Sequence, residues 1–178
     1  MTGTTRSHDQ VGVHFRTTVR PEDGPAVRRL VESTGFFRPD EVAVAEELIA
    51  ERLAKGAASG YEFLFAEHDG QLQGYVCFGP IPCTLSSWDL YWIVVNPAYQ
   101  RQGLGRRLLQ EAEKAIRAAG GTRVYVDTSG REQYRPTRLF YEKNGYQVAA
   151  VLEDFYAPAD PKVIYVKVLK EPDGRRDL

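Results

Sequence analysis

The segment IVVNPAYQRQGLGRRLLQEAEKA, residues 93–115, changes its hydrophobic pattern partway along. It opens with β-branched residues typical of a buried strand, turns at Asn96-Pro97, and continues with apolar residues at helical spacing. Two glycines and three arginines lie where the helix is expected to begin. The segment therefore predicts a strand-to-helix turn in a mixed α/β fold, and the composition of the turn requires a chemical explanation.

The first turn of a helix suits a negatively charged ligand. Its backbone N–H groups have no partners within the helix, and the aligned peptide dipoles place partial positive charge there. Gly103 and Gly105 would let an anion approach the main chain, while Arg101, Arg106 and Arg107 add positive charge around the turn. We therefore expect a pyrophosphate site built mainly from backbone groups.

Two common phosphate motifs fit this turn less well. A Walker loop ends in Gly-Lys-Ser/Thr, but Gly105 is followed by Arg106 and Arg107. A dinucleotide-binding fingerprint needs a third glycine where this chain has Leu108. A glycine-containing turn beside a solvated arginine face, with no ligand, is the alternative interpretation.

The rest of the chain alternates between strand and helix patterns around this turn. Asp69-Gly70 is a strong hairpin signal between two strands, and WDLYWIVV is apolar on both faces, as expected of a central strand. The expected strands are 13–19, 61–68, 71–79, 88–95, 122–129, 146–153 and 162–169. The expected helices are one after Pro21, one from about 40 to 56, one from about 102 to 119 and a short one from 136.

The composition is that of one ordinary globular domain. The chain has 178 residues, of which 43% are apolar and 26% charged, and its formal net charge is −1. That balance argues against a duplex-binding protein, which is usually strongly basic. No apolar run approaches the ~20 residues of a membrane helix. We expect a flexible segment over 1–12, a single domain over 13–170 and a tail over 171–178.

The expected location is cytoplasmic. The first ten residues, MTGTTRSHDQ, lack the apolar core of a signal peptide. Cys77 and Cys83 do not form a CxxC pair, so we expect two reduced thiols, with a disulfide as the alternative. The three histidines, His8, His14 and His68, are scattered, and no metal-ligand spacing is present. No Gly-x-Ser-x-Gly nucleophile motif occurs, which argues against a serine hydrolase.

Two motifs in order resemble those of the GNAT superfamily of N-acetyltransferases. The pattern Gln100-x-x-Gly103-x-Gly105 resembles the acyl-coenzyme A loop of that family. The later stretch LFYEKNGY, residues 139–146, resembles its second signature, Phe/Leu-Tyr-x-x-x-Gly-Phe/Tyr. The likeness in element order extends from about Val13 to Lys170.

The resemblance implies a GNAT-like fold and an acetyl-coenzyme A site. Its central, mostly antiparallel sheet would be flanked by about four helices and would splay between the strands 88–95 and 122–128. Coenzyme A would lie in the opening, with the pantetheine arm paired to the main chain of Ile93, Val94 and Val95. The pyrophosphate would be held by the amides of Arg101, Gln102, Gly103, Leu104, Gly105 and Arg106.

The implied chemistry is transfer of an acetyl group from a thioester to an amine. A free alkylamine has a pKa near ~10.4, so it must lose a proton before it attacks. Tyr141 stands where the resembled family has its tyrosine general acid, although a buried core aromatic is the alternative. Asp127, close to where relatives often carry a catalytic glutamate, is the first candidate for the base, with Asp89, Glu62 and Asp154 as rivals.

One position departs from the family pattern. Many members have an asparagine seven residues before the signature tyrosine, and here that position is Tyr134. Tyr134 could contact the cofactor or could be a surface aromatic.

The acceptor amine is left open by the sequence: a small amine, an amino acid, a peptide N-terminus or a protein lysine. Trp92 and the loop DFYAPADP with Tyr156 could line its pocket, or could simply pack. We expect no nucleic-acid or membrane partner, and a homodimer is possible. Two other functions remain alternatives: a non-catalytic acyl-coenzyme A sensor or interaction module, and a nucleotide-binding regulatory domain.

Overall fold

A computed structural model describes residues 12–169. Apart from Gly12, the terminal segments predicted at 1–12 and 171–178 lie outside the described residues, as do Lys170 and His8. The strands are His14–Arg16 (β1), Glu62–His68 (β2), Gln71–Pro80 (β3), Ser87–Val95 (β4), Arg123–Ser129 (β5), Gln147–Ala157 (β6) and Asp160–Val168 (β7). The α-helices are Asp23–Ser33 (α1), Pro39–Lys55 (α2), Leu104–Ala118 (α3) and Arg135–Lys143 (α4).

The strands form one sheet in the order β1-β2-β3-β4-β5-β7-β6. Every neighbouring pair is antiparallel except β4 and β5, which run parallel. These two pair only from Ser87–Arg123 to Asp89–Tyr125, and the strands separate beyond that point. The predicted mixed sheet, its splayed centre and its four flanking helices are therefore confirmed.

Helices cover the two faces of the sheet with separate cores. On one face α3 and α4 pack on the sheet through a core that includes Leu104, Leu108 and Tyr141. On the other face α1 and α2 cover β2, β3 and part of β4 through a core that includes Val27 and Ile49. The strand ends beside α3 are thereby held between two packed layers, which fixes the position of the predicted turn.

A β-bulge at Tyr91 changes the direction of the β4 side chains. Phe78 pairs with Leu90 and Cys77 pairs with Trp92, so Tyr91 is the extra residue. Leu90 packs in the α3 core, whereas Trp92 packs in the α1–α2 core. The apolar pattern predicted burial on both faces of β4, and each face has one buried residue, Leu90 toward α3 and Val94 toward α1 and α2, whereas Tyr91 is exposed.

Two predicted boundaries differ from the structure. β1 has three residues instead of the expected 13–19, and the guanidinium group of Arg16 binds the carboxylate of Asp23 at 2.7 Å, which directs the chain into α1. The predicted loop DFYAPADP is largely strand, because β6 continues to Ala157 and the turn is confined to residues 158–159.

Cys77 is buried, Cys83 is exposed, and both are free thiols. Among residues 12–169 no helix is long and apolar enough to cross a membrane.

Candidate active site

Side-chain hydrogen bonds fix the turn between β4 and α3. The Asn96 side chain accepts a hydrogen bond from the Ala98 N–H at 3.0 Å. The Gln100 side-chain amide donates to the Val95 carbonyl at 3.2 Å, and that of Gln102 donates to the Ala98 carbonyl at 2.7 Å. The polar residues of the turn therefore hold its backbone in one shape.

The start of α3 presents unpaired amides to open space. Gly103 adopts φ 86° and Arg101 φ 59°, and α3 has no side-chain cap. Within the described residues, the N–H groups of Leu104, Gly105 and Arg106 have no acceptor. A Cβ atom added to Gly103 would meet nothing within 4 Å, while the Leu104 side chain is fully buried and anchors the helix. A phosphate group fits this arrangement of donors, space and positive dipole.

Gly105 lies where β4, α3 and α4 come together. A Cβ atom at Gly105 would lie 3.5 Å from the Phe140 ring and 3.6 Å from Cγ2 of Val95. Phe140 and Tyr141 are consecutive in α4, and their ring centroids are 5.4 Å apart. The structure therefore brings the two sequence motifs to the same place, at the mouth of the gap between β4 and β5.

Tyr141 has a buried ring, and its hydroxyl group has no hydrogen-bond partner among residues 12–169. Its side chain is 4% exposed, and its ring centroid is 5.5 Å from that of Tyr146 and 6.0 Å from that of Tyr165. Among the described residues, only the Tyr75 hydroxyl is both fully buried and without a hydrogen bond. Because the Tyr141 hydroxyl also has no hydrogen bond but is not fully buried, its oxygen keeps some accessible surface. Burial raises the pKa of Tyr141 above that of free tyrosine, which keeps the hydroxyl protonated at neutral pH.

The gap leaves backbone groups of both strands without a strand neighbour. Beyond Asp89, β4 pairs only with β3, and beyond Tyr125, β5 pairs only with β7. The Ile93 and Val95 side chains pack toward α3, and that of Val94 packs toward α1 and α2. The main-chain groups of residues 93–95 can therefore pair with an extended ligand in the gap.

Asp127 lies on β5 just beyond the point where the strands part. It alternates with Val124 and Val126, which pack under α3 and α4, so its side chain projects from the opposite face. Its carboxylate pairs with the ammonium group of Lys162 on β7, and 42% of the Asp127 side chain is exposed. Tyr141 and Asp127 therefore lie on opposite faces of the sheet.

Asp89 shares the open face with Asp127. Burial raises the pKa of Asp89 above the usual aspartate value, the charge of Asp127 raises it further, and Lys162 opposes both effects. Burial together with the charges of Asp127 and Asp160 raises the pKa of Tyr156 to about 12. These residues from four strands form a polar cluster next to the gap, which we call the acceptor-side cluster: Asp89, Asp127, Tyr156 and Lys162.

The other rivals for the base have structural partners. Glu62 pairs with the guanidinium group of Arg52 at 3.0 Å. Asp154, near the end of β6, accepts a hydrogen bond at 2.7 Å from the N–H of Ala159 in the turn that joins β6 to β7. His14 contacts Glu67 at 3.1 Å and His68 contacts the Tyr99 hydroxyl at 3.0 Å. In residues 12–169 no group of three His, Cys, Asp or Glu side chains could hold a metal ion.

Tyr134 contacts the α1–α2 loop. Its ring lies edge-on to Phe36, with a centroid distance of 4.7 Å. Phe36 is 5.6 Å from Phe37, which is 5.1 Å from Trp92. Tyr134 thus ends a row of aromatic rings that runs through Phe36 and Phe37 to Trp92.

A basic cleft between α3 and α4 was missed by the sequence reasoning. It has a volume of 490 Å³ and begins at Arg106, beside the turn. Its only acidic side chain is Glu113, which is buried and bound by the ammonium group of Lys167 at 2.7 Å. The lining residues are Arg106, Gln110, Glu113, Lys114, Arg117, Lys143, Asn144 and Lys167. The basic residues of α3 recur at helical spacing, so the sequence alone could have indicated a basic helix face. The α4 and β7 residues of the cleft lie far away in sequence and could be identified only from the fold.

Comparison with known families identifies the region that carries both motifs. The sequence model of the acetyltransferase (GNAT) domain matches residues 59–148. A crystal structure of an acetyltransferase of the GNAT family from Desulfovibrio desulfuricans is 50% identical to this chain. The match covers 88% of this chain and 98% of that one, with a TM-score of 0.87.

More distant relatives share the fold or part of the sequence. An N-alpha-acetyltransferase from Sulfurisphaera tokodaii is 28% identical over 108 residues, which are 55% of this chain and 64% of the relative. The chain therefore spans less than two thirds of that relative's length. The structure of PaiA N-acetyltransferase from Thermoplasma acidophilum in complex with coenzyme A has a TM-score of 0.68 at 22% identity, over 88% of this chain and 99% of that one.

Proposed function

The chain belongs to the GNAT family of acetyltransferases, and on that premise we propose that it transfers an acetyl group from acetyl-coenzyme A to a primary amine by direct attack. The observation that carries the proposal is the gap between β4 and β5, with unpaired α3 amides at its mouth and Phe140, the neighbour of Tyr141 in α4, next to Gly105. The proposed acetyltransferase domain spans residues 13–170.

Binding of the cosubstrate would rest mainly on backbone groups. The amides of residues 101–106, in the turn and at the start of α3, would hold the pyrophosphate, and the free edge of β4 at residues 93–95 would pair with the pantetheine arm. The basic cleft that begins at Arg106 would add favourable charge for the remaining phosphate of coenzyme A. The Tyr134 ring packs against Phe36. The structure therefore supports a cofactor contact less for Tyr134 than for the turn before α3.

The proton transfers would use one group from each face of the sheet. The amine nitrogen would form a bond to the thioester carbonyl carbon, and the carbon–sulfur bond would break as the coenzyme A thiolate leaves, so that the acetyl group stays on the nitrogen. Asp127 would accept the proton of the amine, and the Tyr141 hydroxyl would donate a hydrogen bond or proton to the departing sulfur. The Asp127 carboxylate pairs with the ammonium group of Lys162. Burial raises the pKa of Tyr141, which keeps its hydroxyl protonated and able to donate at neutral pH.

The acceptor would enter from the face that carries the acceptor-side cluster. Its aspartates favour a cationic amine, and the aromatic row from Tyr134 to Trp92 offers apolar contact. The name of the Sulfurisphaera relative makes peptide N-termini the first acceptors to test.

The direct test is thiol release from acetyl-coenzyme A in the presence of peptide N-termini, lysine peptides, amino acids and small amines. We expect turnover with at least one amine class and an acetylated product by mass spectrometry. Tight binding of acetyl-coenzyme A with no product from any amine would overturn the enzymatic proposal.

A further inference from the structure

Strand β3 contains a β-bulge at Gln73, close to the turn between β4 and α3. Residues 66 and 67 of β2 pair with residues 74 and 72 of β3, which leaves Gln73 as the extra residue. Leu72 packs against the α1–α2 core, whereas a Cβ atom added to Gly74 would lie 2.9 Å from the Leu108 side chain of α3. The side chains of β3 therefore change face across the bulge, and Gln73 stands at the change.

Gln73 is a buried polar residue that binds Asn96 at two points. Its side chain is 5% exposed, and burial of an amide costs free energy unless its polar groups form hydrogen bonds. The side-chain oxygen of Gln73 accepts a hydrogen bond from the Asn96 side-chain amide at 2.9 Å. The main-chain carbonyl of Gln73 accepts another from the Asn96 N–H at 2.8 Å. The bulge thus fixes both the backbone and the side chain of the residue that begins the turn.

The Asn96 side chain passes this constraint on to the turn. Its oxygen accepts from the Ala98 N–H at 3.0 Å, so its NH2 group is directed to Gln73 and needs an acceptor there. The Ala98 carbonyl accepts from the side-chain amide of Gln102 at 2.7 Å. A continuous series of hydrogen bonds therefore joins the bulge of β3 to residue 102, within the backbone that presents its amides at the start of α3.

The other strand of the same hairpin supports the turn as well. His68, the last residue of β2, is hydrogen-bonded through Nδ1 to the Tyr99 hydroxyl at 3.0 Å. The Tyr99 N–H donates to the Asn96 carbonyl at 2.8 Å. The β2–β3 hairpin therefore contacts the turn at both Asn96 and Tyr99.

We propose, on the basis of the coenzyme site in the proposed function, that Gln73 is a positioning residue for that site. The hydrogen bond that it accepts from Asn96 holds the turn in the shape that directs the amides of residues 101–106 toward a pyrophosphate. A turn that is already ordered loses little conformational freedom when the ligand binds. Removing the acceptor at Gln73 should therefore weaken coenzyme binding, although Gln73 acts only through Asn96 and has no role in acetyl transfer itself.

The experiment compares the affinities of the wild type, Gln73→Met and Gln71→Met for coenzyme A by calorimetry. Methionine has nearly the length of glutamine but lacks its amide. Gln71 lies on the same strand and is exposed, so Gln71→Met is the matched control. We expect Gln73→Met to lower the affinity by about 5-fold to 20-fold, and the control to stay within about 2-fold of the wild type. Melting temperatures would show that both variants are folded.

A double-mutant cycle separates positioning from a general structural role. Asn96→Ala removes the partner of Gln73 and should lower the affinity for coenzyme A as well. If Gln73 acts through Asn96, the variant with both changes should bind about as tightly as Asn96→Ala alone. In the acetyl-transfer assay, Gln73→Met should raise the KM for acetyl-coenzyme A and change kcat much less.

A folded Gln73→Met variant that binds coenzyme A as tightly as the wild type would overturn this role and leave the proposed function standing. A double variant whose loss of affinity equals the product of the two single losses would also overturn it. A wild type that binds no coenzyme A would overturn both proposals. If Gln73→Met does not fold, Gln73→Asn, which withdraws the amide by one methylene group, has the same expected loss and the same test.

Discussion

The two sides of the gap between β4 and β5 are built from different groups. On the coenzyme side, the proposed contacts are backbone amides of six consecutive residues, 101–106, anchored by the fully buried Leu104. On the acceptor side, the polar groups are side chains from separate strands, among them Asp89, Asp127 and Lys162. A site made of backbone groups is impaired mainly by a substitution that fills its space, whereas a site made of side chains is impaired by removing one of them. Substitutions on the coenzyme side should therefore change the affinity for the coenzyme, and those on the acceptor side should change the rate of transfer.

The largest effect is expected at Tyr141, between the two sides. Tyr141→Phe removes the hydroxyl and keeps the buried ring, so acetyl transfer should fall by ~100-fold to 10,000-fold while coenzyme affinity stays within a few-fold. Calorimetry and thiol release on the same preparation would measure both. Tyr165→Phe is the matched control, because its hydroxyl already donates to Glu142 at 2.9 Å. If the Tyr141→Phe enzyme keeps the wild-type rate, the role of Tyr141 is only to pack in the core.

Asp127→Asn tests the acceptor side alone. Transfer should fall by roughly 10-fold to 100-fold near neutral pH and partly recover at high pH, where more of the amine is already unprotonated. Affinity for acetyl-coenzyme A should not change. Asp154→Asn makes the same change on β6, next to the β6–β7 turn, and should keep the wild-type pH–rate curve. If Asp127→Asn also keeps that curve, the base is Asp89 or a water relay.

Gly105→Glu tests the coenzyme side alone. The new side chain would place bulk and negative charge beside the α3 amides, next to Phe140 and Val95. We expect coenzyme affinity to fall by roughly 10-fold to 100-fold, equivalent to ~1.4–2.8 kcal/mol. Ala115→Glu adds the same charge at an exposed position of α3 and serves as the control. Equal affinities for the two folded variants would remove the phosphate site from this turn.

The smallest effect is expected on thermal stability, when Asp89 is replaced by asparagine. Its pKa is raised in the folded protein, chiefly by burial, so the folded state binds this proton more tightly than the unfolded state. The charged form therefore costs stability above the folded pKa, and this cost disappears as pH falls below the ordinary aspartate value. Asp89→Asn should raise the melting temperature by a few degrees at pH ~7 and by nothing near pH ~3. A gain that is equal at both pH values would contradict this electrostatic account.

The coenzyme side could be predicted from sequence because its signal is local. Gly103, Gly105 and their arginine neighbours stand within one turn, and the strand before them is apolar on both faces. Asp69-Gly70 likewise fixed the hairpin that joins β2 to β3, since both residues adopt positive φ there. Each of these features depends on neighbours within a few residues.

The acceptor side could be predicted only in part because its residues are distant in sequence. Asp89, Asp127 and Lys162 meet only through the order of the strands, and no short pattern joins them. The bulge at Tyr91 also changes which β4 residues face each core, and a strand that is apolar on both faces gives no sign of it. The Lys162 partner of Asp127 was therefore not identified in advance.

The short parallel pairing of β4 with β5 has a consequence for hydrogen exchange. Beyond Asp89 and Tyr125, alternate amides of these strands bond to β3 or β7, and the amides between them point into the gap. The first set should retain its hydrogens for long periods, whereas the second should exchange rapidly with deuterated water until an extended molecule bonds to it. Slower exchange at alternate amides of residues 90–95 would therefore show that a molecule has filled the gap.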